Sequence, residues 1–292
     1  MPLVSVGLPV YNGVERIEAV VRSVLAQDHS DLELVISDNG STDGTEELCR
    51  SLAAEDSRIV YHRNPVNVGL LNNFVGAGRL ARGEFFRWVG DDDWLAPNCI
   101  SRGIDAFAED PRLILVTSQV DYTGPDGVTE TMPYTGTAFR SQDPIVRLSE
   151  MLRLLNESHL IIDPLYGMVR RDPVVHIERR NMLREDEVFA TKLALAGPWG
   201  HVPEVLAKRN WKHETPGILV RRLDVPRWQA HFVNTLECRE MLRWVRECAG
   251  LTEDQRRQAS LAIGKMYARR QRIVATRRAR KLVRIARDLV PR

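Results

Sequence analysis

Features that mark several common protein classes are scarce or missing in this sequence. Its four cysteines are scattered without a CxxC pair, which favours free thiols in a reducing cytoplasm over disulfides or a zinc site. No stretch approaches ~18 uncharged apolar residues, so no transmembrane helix is expected. The first residues lead into an apolar strand without the basic leader of a signal peptide. We therefore expect a cytoplasmic protein.

Several enzyme signatures are missing as well. The chain contains no Walker A loop, no G-x-G-x-x-G fingerprint and no G-x-S-x-G elbow. These absences argue against ATPases, dehydrogenases and hydrolases with a serine nucleophile. What is present is an ordinary globular composition, 43% hydrophobic and 27% charged over 292 residues. This length suits one large or two small domains.

Charge is distributed unevenly along the chain. Residues 265–292 hold eleven Lys/Arg and one acid, whereas the remainder has 30 basic and 38 acidic residues. Apolar residues recur at helical spacing over 263–290 with arginines between them, which predicts a basic amphipathic helix. Three roles suit such a helix: peripheral contact with the inner face of a membrane, homo-oligomer contact, or packing on the acidic body. No motif supports nucleic-acid binding.

Strand-like and helix-like periods alternate over the first hundred residues. The predicted segments are helices at 14–27, 45–54 and 70–81 between strands at 3–10, 32–37, 58–62 and 84–89. Strict alternation predicts an α/β fold with a parallel sheet. Ligands of such sheets bind beyond the carboxyl ends of the strands. Asn12, Asp38 and Asp91 each follow a strand, so we expect them to gather at one edge.

The rest of the chain is less regular. Its predicted segments are helices at 98–109, 143–155 and 185–196, and strands at 113–122, 128–132, 165–169 and 205–211. The turn at Gly124-Pro125-Asp126-Gly127 predicts a hairpin between the first two of these strands. From Pro226 onward the pattern is helical and is broken only near Gly250.

Three aspartates, Asp91-Asp92-Asp93, follow the strand at 84–89. Adjacent carboxylates repel one another, and desolvating them is costly without a compensating cation or hydrogen-bond donor. An acidic cluster at a strand end is therefore a candidate divalent-metal site, and all-oxygen ligation suits Mg²⁺ or Mn²⁺. The alternative interpretation is a solvated turn with a helix cap.

A second polar loop, Asp38-Asn39-Gly40-Ser41-Thr42-Asp43-Gly44-Thr45, directly follows the second strand. Its turn-forming residues explain a transition from loop to helix without any ligand. A carboxylate at a strand end also suits the ring N–H of a uracil or the hydroxyls of a ribose. The loop alone does not decide between these two interpretations.

Taken together, the motifs of the first hundred residues resemble those of one enzyme family. They are Val6-Gly7-Leu8-Pro9-Val10-Tyr11-Asn12, Val35-Ile36-Ser37 leading into the second polar loop, Asn64 through Asn72, and Ala81-Arg82-Gly83-Glu84-Phe85 leading into Gly90-Asp91-Asp92-Asp93-Trp94. Their order and spacing resemble the inverting family-two glycosyltransferases, which use nucleotide sugars and have the GT-A fold. The resemblance covers residues 3–110, weakens from 111 to 215 and ends at about 220.

This resemblance implies a Rossmann-like α/β sandwich with a mostly parallel central sheet and a C-terminal helical extension. It assigns nucleotide-sugar binding to residues 1–97, metal and acceptor binding to 98–220, and a helical region with the basic tail to 221–292. The implied nucleotide-sugar-binding residues are Pro9, Val10, Tyr11, Asn12, Asp38, Asn39, Asn67, Gly69, Asn72 and Asp91. Because Asn39 stands where the family often has an acid, UDP-, GDP- and dTDP-sugars all stay candidate donors.

The resemblance also implies a divalent cofactor, Mn²⁺ or Mg²⁺. Gly90 stands where the family's metal-binding motif often begins with an acid. Asp92 is accordingly the expected metal ligand, and Asp91 is expected to contact ribose or metal-bound water. Asp93 is interpreted as a cap of the helix that begins near residue 97. Relatives carry a histidine near His213 that reaches the metal or the diphosphate, although a lone histidine is also common in a structural role.

Acids open the helix predicted at 185–196, where they suit the helix macrodipole. Arg184-Glu185-Asp186-Glu187 also resembles the family's element that supplies the catalytic base. We assign that role to Asp186, with Glu185 as the second choice. The implied reaction is an in-line displacement by a hydroxyl of a polysaccharide, glycolipid or small-molecule glycoside. The alternative is a non-catalytic nucleotide-sugar-binding protein that acts through a partner.

Overall fold

In the computed structural model, which describes residues 1–158, 160–211 and 214–288, strands and helices alternate from the start of the chain. The first seven elements are β1 (Val4–Val10), α1 (Ile17–Leu25), β2 (Leu32–Asp38), α2 (Thr45–Glu55), β3 (Ile59–Arg63), α3 (Leu70–Leu80) and β4 (Phe85–Trp88). This order confirms the predicted alternation. Every residue of β1 and β2 is buried, as expected for parallel strands that are covered on both faces.

The middle of the chain adds shorter and more varied elements. They are β5 (Trp94–Leu95), α4 (Cys99–Glu109), β6 (Leu115–Thr123), β7 (Thr129–Glu130), α5 (Pro144–Leu154), β8 (Met168–Arg170), α6 (Arg171–Val175), α7 (Glu185–Ala196) and β9 (Trp199–Asn210). The predicted hairpin is confirmed, because β6 and β7 pair in antiparallel fashion. The strand predicted at 205–211 was too short, since β9 already begins at Trp199, where the chain is buried.

The described strands form one sheet of nine, in the order β3-β2-β1-β4-β8-β6-β9-β5, with β7 paired to β6. The longer ladders are parallel, whereas the short strands β5, β7 and β8 pair in antiparallel fashion. The parallel edge continues into the loops, because the Asn39 N–H donates to the Val10 carbonyl (2.9 Å) and the Asn64 N–H to the Asp38 carbonyl (2.8 Å). The ends of β1, β2 and β3 therefore lie side by side.

Helices fill the C-terminal part of the described chain. They are α8 (Pro216–Arg222), α9 (Val233–Glu247) and α10 (Glu253–Asp288), with a short 3-10 helix at Arg227–His231. The helical prediction from Pro226 and the break near Gly250 are confirmed, whereas α8 was not predicted. None of the described helices is long and apolar enough to cross a membrane.

A second hydrophobic core joins these C-terminal helices to the α/β body. It is formed by side chains of α5, α7, α9 and α10, including Leu148, Leu152, Val188, Leu195, Met241, Val245, Ile263 and Met266. Their apolar surface is removed from water by helix-on-helix packing. The first half of α10 thus packs on the body, which is one of the three roles considered for the basic helix.

Candidate active site

The loops that follow β1 and β2 are tied to each other by polar contacts. Asn12 has a positive φ of 50°, and its side-chain oxygen accepts a hydrogen bond from the Thr42 N–H (2.9 Å). The Asn12 N–H in turn donates to the Ser41 hydroxyl (2.9 Å). Asparagine is one of the residue types that tolerate this left-handed conformation. Asn12 therefore shapes the loop that follows β1, where the neighbouring Tyr11 is exposed and Pro9 and Val10 are buried.

Asp38 lies beneath these two loops rather than at the surface. Its side chain is fully buried, and its carboxylate accepts hydrogen bonds from the Ser41 N–H (2.9 Å) and the Tyr61 hydroxyl (2.8 Å). Burial and this contact with Asp38 raise the pKa of Tyr61. Donors that satisfy a buried carboxylate make its burial tolerable. Asp38 thus supports the loop, and its predicted contact with base or ribose stays a prediction.

Asn39 connects the second loop to the third. Its side-chain amide donates to Asn67 Oδ1 (2.9 Å), and its oxygen accepts from the Val68 N–H (2.8 Å). Gly40 makes this approach possible: its φ is +74°, and a Cβ there would lie 3.0 Å from the Val66 carbonyl carbon. Two further predicted residues extend the same loop, where the Gly69 N–H donates to Asn67 and the Asn72 side chain donates to the Val68 carbonyl.

The three aspartates differ in environment. Asp91 forms an ion pair with Arg16, whose Nη2 lies 2.5 Å from Asp91 Oδ2 and also donates to the Asn12 carbonyl. The hydrogen bond to Asp91, together with the charges of Asp91 and Asp92, raises the pKa of Arg16. The Asp92 side chain is half-buried. Asp91 therefore stands beside the loop of Asn12, as the strand-end argument predicted, and the charge of Asp92 acts on the same arginine.

Asp93 has a structural role that differs from the predicted one. Its carboxylate accepts from the Gly90 N–H (2.7 Å) and pairs with Arg209 (3.1 Å), whereas α4 begins at Cys99 without a side-chain cap. The helix-cap interpretation of Asp93 was therefore wrong. The turn also explains Gly90, because a Cβ at this position would lie 2.9 Å from Asp93 Oδ2. Position 90 is therefore a glycine and not an acid, because a side chain there would collide with the Asp93 carboxylate.

Arg209 is a site residue that the sequence did not reveal. Its Nη1 lies 2.5 Å from Asp163 Oδ2, and its guanidinium carbon is 3.3 Å from the centre of the Tyr166 ring. A planar, permanently charged guanidinium can bridge two carboxylates and stack on an aromatic ring at once. Arg209 thereby fixes Asp93 and Asp163 relative to each other.

The expected base stands at the start of α7. Asp186 is exposed to solvent, although enough protein lies around its carboxyl to weaken its hydration. The resulting loss of hydration, followed by the charges of Glu187 and Glu185, raises its pKa to about 6. Asp163, which Arg209 joins to Asp93, adds slightly to this effect.

The two acidic neighbours of Asp186 are paired with arginines. Glu185, the second choice for the base, pairs with Arg179 at 2.5 Å, and both side chains are nearly inaccessible to solvent. Glu187 lies 2.6 Å from Arg270. A carboxylate engaged by a guanidinium is a poor proton acceptor, because the pair stabilises its ionised form. These contacts favour Asp186 over Glu185.

The predicted metal site would have few ligands from the protein itself. Within residues 1–158, 160–211 and 214–288, no three His, Cys, Asp or Glu side chains are grouped so as to hold a metal ion. Magnesium-type sites often use one or two carboxylates and complete their shell with substrate phosphates and water. Asp92, and Asp91 with its Arg16 partner, offer two carboxylates of this kind. His213 lies outside the described residues, and Trp211 beside it packs against the main core.

The α/β fold and the acidic loops at its strand ends define a class of α/β proteins whose ligand site lies at the carboxyl edge of a parallel sheet. The profile of Glycosyl transferase family 2 matches residues 5–177, which is more than half of the chain. The chain belongs to this family. An abequosyltransferase from Salmonella typhimurium is 38% identical over 102 residues, which are 34% of this chain and 31% of that protein. The chain spans about a third or less of the length of the first curated relatives it matches.

Solved structures extend the similarity to most of the chain. Residues 1–349 of TarS from S. aureus, in complex with UDP-GlcNAc, match 91% of this chain and 72% of that chain with a TM-score of 0.64 and 18% identity. A mannosyltransferase from Pyrobaculum calidifontis, in complex with GDP-Man and Mn²⁺, matches 91% and 86% with a TM-score of 0.54 and 16% identity. At such identities the likeness concerns the fold, and it confirms the predicted GT-A architecture.

Proposed function

We propose that this protein is an inverting glycosyltransferase that depends on a divalent metal and moves a sugar from a nucleoside-diphosphate sugar to an acceptor hydroxyl. The observation that carries the proposal is the placement of Asp186, an exposed carboxyl in the first turn of α7 between two arginine-paired acids, in a chain that matches Glycosyl transferase family 2; its raised pKa fits the role of a base. A general base works best when its pKa lies near the operating pH. Glu185 beside it is paired with Arg179. Glu187 has a raised pKa as well, but its carboxylate is engaged by Arg270.

In the proposed reaction Asp186 accepts the proton of the acceptor hydroxyl while that oxygen attacks the anomeric carbon. The bond to the nucleoside diphosphate breaks on the opposite face, so the configuration inverts without a covalent intermediate on the protein. General-base assistance of this kind contributes about 10²–10⁴-fold to the rate. Arg209 holds Asp163 and Asp93, which fixes the acidic turn relative to the segment that precedes β8.

Asp92, with Asp91 beside it, is the proposed anchor for Mn²⁺ or Mg²⁺. When bound, such an ion neutralises charge that develops on the departing diphosphate. The complex of the structurally similar mannosyltransferase with GDP-Man and Mn²⁺ supports this proposal. Arg16, which is paired with Asp91, stands close enough to the same position to add positive charge there.

The proposed division of labour follows the elements. Residues 1–97 bind the nucleotide sugar through the loops of Tyr11–Asn12, Asp38–Asn39 and Asn67–Asn72, and 98–220 supply the base and the acceptor surface. Residues 221–292 form the helical region. Donors with UDP, GDP or dTDP and acceptors of the glycan or glycolipid type are all compatible with this site. UDP-GlcNAc and GDP-Man in the structurally similar proteins support a nucleoside-diphosphate sugar.

The basic part of α10 that follows Arg270 is the proposed place for contact with a membrane surface or a second copy of the chain. Flotation with anionic phosphatidylglycerol vesicles and light scattering of the free protein separate these two partners. A monomer that stays with neither vesicles nor a second copy would contradict both.

The test of the proposed function is a panel of UDP-, GDP- and dTDP-sugars with Mn²⁺. Thermal shift reports which nucleotide binds, since a ligand at 100 times its Kd stabilises by ~2.7 kcal/mol. Turnover is then measured for the wild type, Asp92→Ala and Asp186→Ala. We expect both variants to lose activity and Asp186→Ala to keep donor binding. Donor binding without turnover in any acceptor extract would instead support the non-catalytic alternative.

A further inference from the structure

Two arginines and two glutamates form a compact ion cluster next to the proposed base. Its members are Arg184, Glu187, Glu237 and Arg270, here called the four-residue ion cluster. Arg270 Nη2 lies 2.6 Å from Glu187 Oε2, and Arg270 Nη1 lies 2.6 Å from Glu237 Oε2. Arg184 completes the cluster with contacts of 2.9 Å to Glu237 and 3.4 Å to Glu187. The charges balance.

The cluster joins three helices that are distant in the sequence. Arg184 and Glu187 flank Asp186 at the start of α7, Glu237 lies on α9, and Arg270 lies on α10. Arg270 also donates through Nη2 to the carbonyl of Leu155, just after α5 (3.0 Å). One guanidinium therefore connects the C-terminal helix to the first turn of α7 and to the end of α5.

The ion pair between Glu237 and Arg270 is buried, so the loss of one partner should be costly in stability. The side chain of Glu237 is inaccessible to solvent, and that of Arg270 is 10% exposed. Removing one partner of a buried ion pair leaves an uncompensated charge, which is far more costly than losing an exposed pair. Burial and the Glu237 carboxylate raise the pKa of Glu187 by more than Arg270 and Arg184 lower it. Arg270 thus favours the ionised Glu187 that the cluster requires.

Apolar packing and a second polar contact hold the same helices together. Val188 of α7 shares a core with Met241 of α9 and Ile263 of α10. The ammonium of Lys192 on α7 lies 3.4 Å from Glu240 of α9. Because α9 and α10 are fastened to α7 in this way, the position of Arg270 is rigidly related to that of α7.

We propose that Arg270 is a positioning residue for the proposed base: it acts through Glu187 to fix the first turn of α7 and thereby the placement of Asp186. This inference depends on the proposed function for its catalytic meaning. Asp186 stands between two anchored neighbours, Glu185 held by Arg179 and Glu187 held by Arg270. The C-terminal helix is accordingly part of the active-site framework.

Loss of Arg270 should affect the chemical step more than it affects binding of the donor. The loops proposed to bind the donor follow β1 and β2, whereas the cluster supports α7. A misplacement of about 1 Å at a reacting group costs on the order of 10²-fold in rate. Loss of Arg270 is therefore expected to lower kcat while the donor KM changes little.

The experiment compares Arg270→Ala, Arg270→Lys and the control Arg269→Ala in the full-length protein. Arg269 is the exposed neighbour on the same helix, so its loss controls for a change of charge on α10. Amide hydrogen exchange is followed in peptides that cover residues 182–190. We expect exchange there to accelerate about tenfold or more in Arg270→Ala, to be partly restored in Arg270→Lys, and to be unchanged in Arg269→Ala.

Turnover of the nucleotide sugar that the wild type uses is measured in parallel. The expected result is a kcat reduced by about 10²-fold in Arg270→Ala, partial rescue by lysine, and a donor KM within about threefold of the wild type. Equal exchange in folded Arg270→Ala and Arg269→Ala would overturn the proposal, and so would a kcat that matches the control or a parallel loss of donor affinity.

Two outcomes separate this proposal from the proposed function. If the wild type turns over no nucleotide sugar, the proposed function fails, while the exchange data alone decide whether Arg270 holds the first turn of α7. If Arg270→Ala does not fold, Glu187→Gln and Arg270→Lys take its place. Glu187→Gln keeps the shape but removes the charge that Arg270 holds, so unchanged exchange and kcat in that variant would refute the positioning role.

Discussion

Replacing the proposed base by its neutral isostere should stabilise the fold while it abolishes activity. The pKa of Asp186 is raised from its ordinary 3.8 to about 6. A carboxyl whose pKa is higher in the folded state favours folding when it is protonated. That contribution is complete below pH ~4 and is lost as the pH rises through about 6. At pH 7.5 the ionised Asp186 therefore destabilises the folded state, and Asp186→Asn should raise the free energy of unfolding.

The size of the effect follows from the environment of the carboxyl. For a fully shielded group, a rise from 3.8 to about 6 would correspond to ~3 kcal/mol. Because the Asp186 side chain reaches solvent, screening lowers the expected gain to ~1 kcal/mol. We expect the gain at pH 7.5 and its disappearance near pH 4, while turnover falls by about 10²–10⁴-fold.

Urea unfolding at pH 7.5 and pH 4 measures the stability change from the shift in midpoint at constant slope. Asp31→Asn, which neutralises an exposed aspartate just before β2, is the matched control. A destabilised Asp186→Asn at pH 7.5, or one that keeps wild-type turnover, would refute the reasoning. The first result would show that the carboxylate is well hydrated or well paired, and the second that it is not the base.

Three further predictions concern the same site. The rate under kcat/KM conditions should rise with pH around the Asp186 pKa of about 6, because the base must be ionised; a profile flat from pH 5 to 8 would contradict this. Arg209→Met should cost about 3–5 kcal/mol in urea unfolding, since it leaves the partly buried Asp93 and Asp163 carboxylates without their guanidinium; a loss below ~1 kcal/mol would show that water compensates them. Gly90→Ala should destabilise by about 1–3 kcal/mol, because its Cβ would lie 2.9 Å from the Asp93 carboxylate, whereas Gly250→Ala, where a Cβ meets nothing within 4 Å, serves as the control.

The prediction from sequence was accurate where the signal was local. Apolar runs separated by polar loops correctly indicated β1 to β4 and the helices between them, because side-chain periodicity reports burial directly. The helix at 185–196 was predicted with its observed bounds, since acids begin it and Gly197 follows it. The prediction failed for the short elements α6, α8 and β5, whose few residues contain too little periodic signal.

The roles within the site were harder to predict. Asp93 looked like a helix cap because a helix follows within a few residues, yet it accepts from Gly90 and pairs with Arg209. Asp38 looked accessible at the end of its strand, yet it is buried beneath the loop. In both cases the local pattern located the residue correctly at the strand edge, and the direction of its side chain depended on partners elsewhere in the chain.

By itself the sequence determined the alternation of strands and helices, the edge of the sheet at which polar loops meet, and the family to which the chain belongs. Only the tertiary structure decided which carboxylates are neutralised. Arg16 meets Asp91 across 75 positions, Arg209 meets Asp93 across 116, and Arg270 meets Glu187 across 83. No spacing rule encodes such pairs, because an ion pair requires closeness in space and its partners leave no periodic trace along the chain. The loss of hydration that raises the pKa of Asp186 also comes from the tertiary fold, whereas the charges of Glu185 and Glu187 beside it are set by the sequence.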